Sequence, residues 1–95
     1  MVGCSHKNCG KDYRKQSEVF NHVLIQRIGH TNGVRIKPNH AICGMMLESN
    51  VEEGKQNFVY GETRKEDLNP FVSITDPCLG WDETEALILD AHAQL

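Results

Sequence analysis

The chain has 95 residues and a mass of 10.7 kDa, which surface scaling converts to about 5,500 Å² exposed when folded, against about 15,500 Å² for the open chain. One small core is the ceiling, and 95 residues do not make a two-domain enzyme or a complete barrel of eight βα units, which takes about 250. Ten Lys and Arg against 13 Asp and Glu give a net charge of -3 with neither sign gathered into a block, which argues against nucleic acid or another polyanion as partner.

In chain order, residues 1–4 read as the last part of a strand and residues 5–10 as a polar loop. From residue 12 to residue 28 the apolar positions Tyr13, Phe20, Val23, Leu24 and Ile28 recur at helical spacing, and Gly29 supplies a stop. Residues 29–40 hold Gly29, Gly33 and Pro38 among polar neighbours with no sustained period, so they read as a connector. Residues 41–47 form a continuous apolar run of strand length, expected to be buried on both faces with Cys43 inside, and the run ends at Glu48. Residues 50–70 are polar and glycine-punctuated, with the charge cluster Arg64-Lys65-Glu66-Asp67. A second short strand is predicted over residues 71–75, ending at Asp76. Trp81 then reads as a packing anchor, and Asp82, with Glu85 three residues on, as the cap of a final helix carrying Ala86, Leu87, Leu89 and Ala91. The order of strand end, helix, strand, strand and helix predicts an α/β fold on a parallel sheet.

No apolar run approaches the ~18 residues of a membrane span, and no basic segment followed by an apolar run marks a secretion signal. A cytoplasmic chain without a membrane partner is the expectation. The four cysteines, 4, 9, 43 and 78, then read as thiols; none forms a CxxC pair. His22, His30, His40 and His92 read as surface or helix residues.

Three residues of metal-ligand type occupy equivalent places: His6 past the first strand end, Glu48 at the second and Asp76 at the third. In parallel α/β folds the carboxyl ends of the strands share one edge, so groups 42 and 28 residues apart in sequence can meet at one centre. One imidazole and two carboxylates make a mixed nitrogen and oxygen site for Mn²⁺, Fe²⁺ or Zn²⁺. The plainer reading is a surface histidine and two solvated carboxylates. A separate small metal module built from Cys4, His6 and Cys9 is a further alternative.

Several blocks carry a resemblance. Cys4-Ser5-His6-Lys7-Asn8, Gly44-Met45-Met46-Leu47-Glu48-Ser49-Asn50, Glu53-Gly54-Lys55-Gln56, Tyr60-Gly61, and Ser73-Ile74-Thr75-Asp76-Pro77-Cys78-Leu79-Gly80-Trp81 closely resemble, in order, the C-terminal part of class I 3-deoxy-7-phosphoheptulonate (DAHP) synthase. The resemblance implies that residues 1–95 are a segment of one (β/α)8 barrel domain, with about three short parallel strands and two helices. It implies an enzyme of the shikimate pathway to chorismate and the aromatic amino acids, which condenses phosphoenolpyruvate with erythrose 4-phosphate and releases phosphate. It also implies a divalent metal ion (Mn, Fe, Zn or Co) held by His6, Glu48 and Asp76, a catalytic part for His6 and Asp76, a cytoplasmic setting and a homo-oligomer. Such an ion would polarise the sugar aldehyde toward C3 of phosphoenolpyruvate while water adds at C2, and Asp76 would touch a substrate hydroxyl or relay a proton.

The sequence departs from the resemblance at stated places. The fourth ligand of the family, a Cys in a G-P-C-S block, has no match here, nor have the Arg and Lys residues that clamp the substrate phosphates. Cys4 and Cys78 match ordinary family positions near the site, and placement near it does not make either the replacement. Gly3 stands where the family often has Asp, a carboxylate that would orient the ligating imidazole. Residues 30–39 and 62–71 read as inserted loops, which chain entropy tolerates cheaply. A truncated synthase is the first reading, and a non-catalytic segment that associates with a related synthase is its rival.

Overall fold

A computed structural model describes residues 1–31 and 33–95. Strand β1 (Val2–Gly3) lies parallel to the strand Met45–Met46, with Val2 opposite Met45 and Gly3 opposite Met46. The amides of Val2 and Cys4 extend the pairing by donating to the carbonyls of Gly44 and Met46, each at 2.9 Å. Between these strands runs helix α1 (Gln16–Ile28), so the two form a β–α–β crossover. The helix starts later than the apolar spacing predicts. A 3-10 turn, Tyr13–Lys15, precedes it, held by the Asp12 carboxylate, which accepts from the Arg14 amide at 3.1 Å and from its guanidinium at 3.0 and 3.2 Å. That pairing holds the Asp12 carboxyl below its ordinary range. The stop is as predicted: Gly29, at φ +87°, donates to Ile25 at 2.8 Å.

The connector is an antiparallel hairpin, β2 (His30–Thr31) with β3 (Val34–Arg35), while the strand paired with β1 is β4 (Met45–Met46). Its strands escape a period-2 reading because Val34 and Arg35 are both exposed. The expected insertion at 30–39 contains Asn32, which lies outside the described residues.

Two expected strands are corrected. Of residues 41–47 only Met45 and Met46 pair, and the run is not buried on both faces: Met45 and Leu47 pack against the core, whereas Met46 is 56% exposed and Cys43 is exposed. The reason is that β4 has a neighbour on one side and a packed layer on one face. Residues 71–75 form no strand; Ser73 makes a single parallel bridge to Lys55. That segment is tied by Gln56, whose side-chain amide donates to the carbonyls of Asn69 (2.6 Å) and Val72 (2.7 Å) while its oxygen accepts from Asn69. Residues 62–71 are exposed over most of their length around a short 3-10 turn, Lys65–Asp67.

Helix α2 (Trp81–Gln94) is capped at Gly80, not Asp82, which sits in the first turn where the helix dipole favours its charge. Trp81, expected to be a packing anchor, is half exposed and lies outside the core cluster. The buried residue at this end is Thr84, which donates to the Gly80 carbonyl at 2.9 Å and shares a 2.6 Å hydrogen bond with Ser49. Among the described residues no helix is long and apolar enough to cross a membrane.

Cys4, Phe20, Leu24, Leu79, Leu87 and Ala91 make the core. It is small for the chain: 6996 Å² stays accessible, against the ~5,500 Å² of a compact protein of this mass. The radius of gyration is 16.1 Å, against about 12 Å expected for a compact chain of this length. At Gly29 an added Cβ would lie 2.5 Å from Pro38 and 2.9 Å from the Ile36 carbonyl, on a left-handed backbone. Gly29→Ala is expected to cost at least ~1 kcal/mol, read as a lower urea midpoint; an unchanged midpoint contradicts this packing.

Candidate metal centre

His6 and Glu48 follow the paired strands β1 and β4, and Asp76 lies between the isolated bridges at Ser73 and Cys78. His6 opens a 3-10 turn, His6–Cys9, directly after β1, with a left-handed backbone at φ +53°. For a residue with a Cβ this costs on the order of 1 kcal/mol. The loop holds it there: the His6 carbonyl accepts from the Lys11 amide at 2.7 Å and from Cys9 Sγ at 3.3 Å, and Asn8 donates to the Gly3 carbonyl at 2.6 Å.

Glu48 lies two residues beyond β4 with both peptide groups occupied. Its amide donates to Gln16 Oε1 at 2.9 Å, and its carbonyl accepts from the Leu79 amide at 2.9 Å and from Gln16 Nε2 at 3.2 Å. Asp76 precedes the bridge-forming pair Cys78 and Leu79, and its carbonyl accepts from Cys78 Sγ at 3.4 Å.

The side chains meet. His6 Nε2 is 3.1 Å from Glu48 Oε1 and 3.7 Å from Asp76 Oδ2, and all three ligand atoms lie within 4.8 Å of one another. Donors about 2.1 Å from one ion and 90–110° apart stand about 3.0–3.4 Å from each other, so the cluster needs only side-chain adjustment to enclose a cation. Glu48 is 24% exposed, while His6 and Asp76 are 64% and 58% exposed. The site is thus anchored at Glu48 and open on the other side, facing a cleft that Ser5, Lys11, Tyr13 and Pro77 also line. As an exposed ion pair alone, His6 with its carboxylates would be worth ~0–1 kcal/mol, poor compensation for a strained His6 backbone. A mixed nitrogen and oxygen donor set fits a borderline or hard divalent ion.

The thiols take other places. Burial, and then the neighbouring Cys9, push the Cys4 thiol up. Burial also raises Cys78, with the Glu48 and Asp76 charges adding and a hydrogen bond with Ser73 opposing. Neither belongs to the converging atoms. Among the described residues the grouping is His6, Glu48 and Asp76 alone, so Cys4, His6 and Cys9 do not form a second metal cluster. Cys9 is buried and bonded to a carbonyl, and Cys43, expected inside, is exposed.

Gln16 escaped the sequence reading. The signal was there: it stands four residues before Phe20 and eight before Leu24, a polar residue on the buried stripe of α1.

The family model described as the DAHP synthetase I family matches residues 1–89. The chain belongs to the DAHP synthetase I family. Among curated proteins it is similar to the Tyr-sensitive phospho-2-dehydro-3-deoxyheptonate aldolase of Escherichia coli (strain K12), 40% identical over 96 residues, covering 100% of this chain and 24% of that protein. The tyrosine-inhibited counterpart of Candida albicans is 42% identical over 88 residues, covering 93% of this chain and 22% of that protein. Among solved structures, the phospho-2-dehydro-3-deoxyheptonate aldolase of Francisella tularensis SCHU S4 superposes with a TM-score of 0.72 at 31% identity, over 99% of this chain and 24% of that one. The chain therefore spans about a quarter of the length of the relatives it matches. Its α/β fold with a parallel strand pair and two helices agrees with membership.

A Mn²⁺ titration followed by electron paramagnetic resonance is expected to saturate at one ion per chain. His6→Ala, Glu48→Ala and Asp76→Ala should each weaken binding at least tenfold. Wild-type affinity in all three variants would show that the ion binds elsewhere.

Proposed function

We propose that this chain is the C-terminal part of a (β/α)8 barrel that condenses phosphoenolpyruvate with erythrose 4-phosphate, and that His6, Glu48 and Asp76 hold the divalent ion this reaction uses. What carries the reading is the convergence of one imidazole and two carboxylates, with His6 Nε2 3.1 Å from Glu48 and 3.7 Å from Asp76, in a chain of this family. An ion held by these residues would supply Lewis acidity, polarising the sugar aldehyde for a condensation with C3 of phosphoenolpyruvate in which water adds at C2 and phosphate leaves.

The chain's own residues divide the remaining work. Glu48, the least exposed of the three, is the fixed ligand. The carboxylates of Glu48 and Asp76 balance the charge of a dication, and His6, neutral as a ligand, adds none. Asp76, on the open side, is in place to meet a substrate hydroxyl and relay a proton. The fourth ligand and the phosphate clamps belong to earlier strands in the family resemblance, and no residue of this chain matches them. Activity is accordingly a property of the assembled barrel.

Support for the barrel comes from the surface. About 1,500 Å² more is accessible than a compact chain of this mass would show, and Met46 and Ile74 lie exposed near the site elements. A larger body with paired strand edges would cover such surface. The stretches at 30–39 and 62–71 fit extra loops, since their described residues are mostly exposed. A cytoplasmic, homo-oligomeric enzyme without nucleic-acid or membrane partners completes the reading. The same open edges also favour a second one, a non-catalytic segment docked on a related synthase.

The test is a chimera in which this chain replaces the matching segment of the E. coli relative. The reading expects DAHP formation with Mn²⁺, reduced about 100-fold or more by Asp76→Asn. A folded chimera that binds Mn²⁺ but makes no product contradicts it and favours the docked, non-catalytic segment.

A further inference from the structure

Among the largest fully buried side chains of the described residues, Leu79, Gln16 and Cys4, the carboxamide of Gln16 is the strongly polar one. It stands at the first residue of α1, far in sequence from the strand ends. A buried carboxamide is costly unless its donor and its acceptor are both engaged. Here both are, and both partners belong to one residue. Gln16 Oε1 accepts from the Glu48 amide at 2.9 Å and Gln16 Nε2 donates to the Glu48 carbonyl at 3.2 Å.

This pattern is a two-bond exchange between an amide and a peptide, the arrangement that a hydrogen-bonded residue pair makes between antiparallel strands. The β1–β4 pairing ends with the Cys4 amide on the Met46 carbonyl, and the chain then turns into the 3-10 turn His6–Cys9. The side chain of Gln16 therefore takes up both peptide groups of Glu48 just where the parallel strand pairing has ended. The Leu79 amide holds the carbonyl as well, at 2.9 Å, but the Glu48 amide has Gln16 as its partner.

We infer that Gln16 is a positioning residue that fixes Glu48 for metal binding through this paired contact with its backbone. The inference rests on the ligand reading proposed above. It touches neither the ion nor the substrates, and it leaves His6 and Asp76 untouched. Its removal should therefore weaken metal affinity through one ligand, by roughly the 10–100-fold that a lost outer-sphere partner costs.

The experiment is Mn²⁺ affinity by electron paramagnetic resonance on the 95-residue chain, with the folded fraction measured by circular dichroism. The variants are Gln16→Met, which keeps the volume and loses both bonds, Glu48→Gln, and Leu87→Ala, a core truncation outside the cleft. Gln16→Asn, polar but one methylene too short to span both groups, serves if Gln16→Met does not fold. The inference expects at least a tenfold loss of affinity in the Gln16 variant and none in folded Leu87→Ala. It also expects the Mn²⁺ hyperfine spectrum of Gln16→Met to broaden, as a less fixed ligand set would make it. Wild-type affinity in the Gln16 variants, alongside a loss in Glu48→Gln, would overturn the positioning role while the ligand reading stands. Unchanged affinity in Glu48→Gln would overturn both, and an equal loss in Leu87→Ala would reduce Gln16 to an ordinary core residue.

Discussion

The parallel register of two very short strands is the constraint on which the site depends. With Val2 opposite Met45 and Gly3 opposite Met46, both strands end at the same edge. His6 and Glu48 leave that edge together. A slip of one residue would displace Glu48 by about 3.3 Å and turn its side chain to the opposite face of the sheet, beyond reach of His6. Four paired residues are a small basis for such a requirement. The structure reinforces it beyond the ladder through the Gln16 contact, the Leu79 amide and the hydrogen bond between Ser49 and the buried Thr84.

These reinforcements also join the site to the core. Leu79 is fully buried among Phe20, Leu24 and Leu87, and its peptide groups bond to Glu48 and Asn50. The segment that carries Asp76 is thereby brought against the segment that carries Glu48, although residues 71–75 form no strand. Helix α1 contributes Phe20 and Leu24 to the same core and Gln16 to the Glu48 backbone. Apolar burial, which has no direction, fixes the distance between elements, and a few hydrogen bonds set their register. His6 alone is held by its own loop, at the cost of a left-handed backbone.

Much of this was readable in the residues. A first helix ending at Gly29 and the parallel relation of the first two strand ends follow from spacing, and the three side chains read from strand ends, His6, Glu48 and Asp76, do meet, although Asp76 follows no strand. The misreadings have a common cause. A continuous apolar run such as residues 41–47 implies burial on two faces, and Trp81 before a helix implies a packed anchor. In the structure Met46 and Trp81 are about half exposed and Cys43 is exposed. Residues 71–75 have strand composition, yet their polar ties run through Gln56, a contact that no periodicity encodes. Asp82 satisfies the capping pattern, but Gly80 begins the helix because the Trp81 amide donates to the Val51 carbonyl at 3.2 Å and the chain is already turned there. Gln16 was hidden for a different reason. A glutamine on an apolar stripe is visible, but its partner 32 residues away is not.

The central claim is that this fold draws three separated side chains onto one divalent ion. Anomalous diffraction from crystals grown with Mn²⁺ tests it most directly. The account predicts one strong peak with His6 Nε2 and a carboxylate oxygen each from Glu48 and Asp76 at about 2.0–2.3 Å. A peak coordinated by other residues, or none between these three at saturating Mn²⁺, would contradict it.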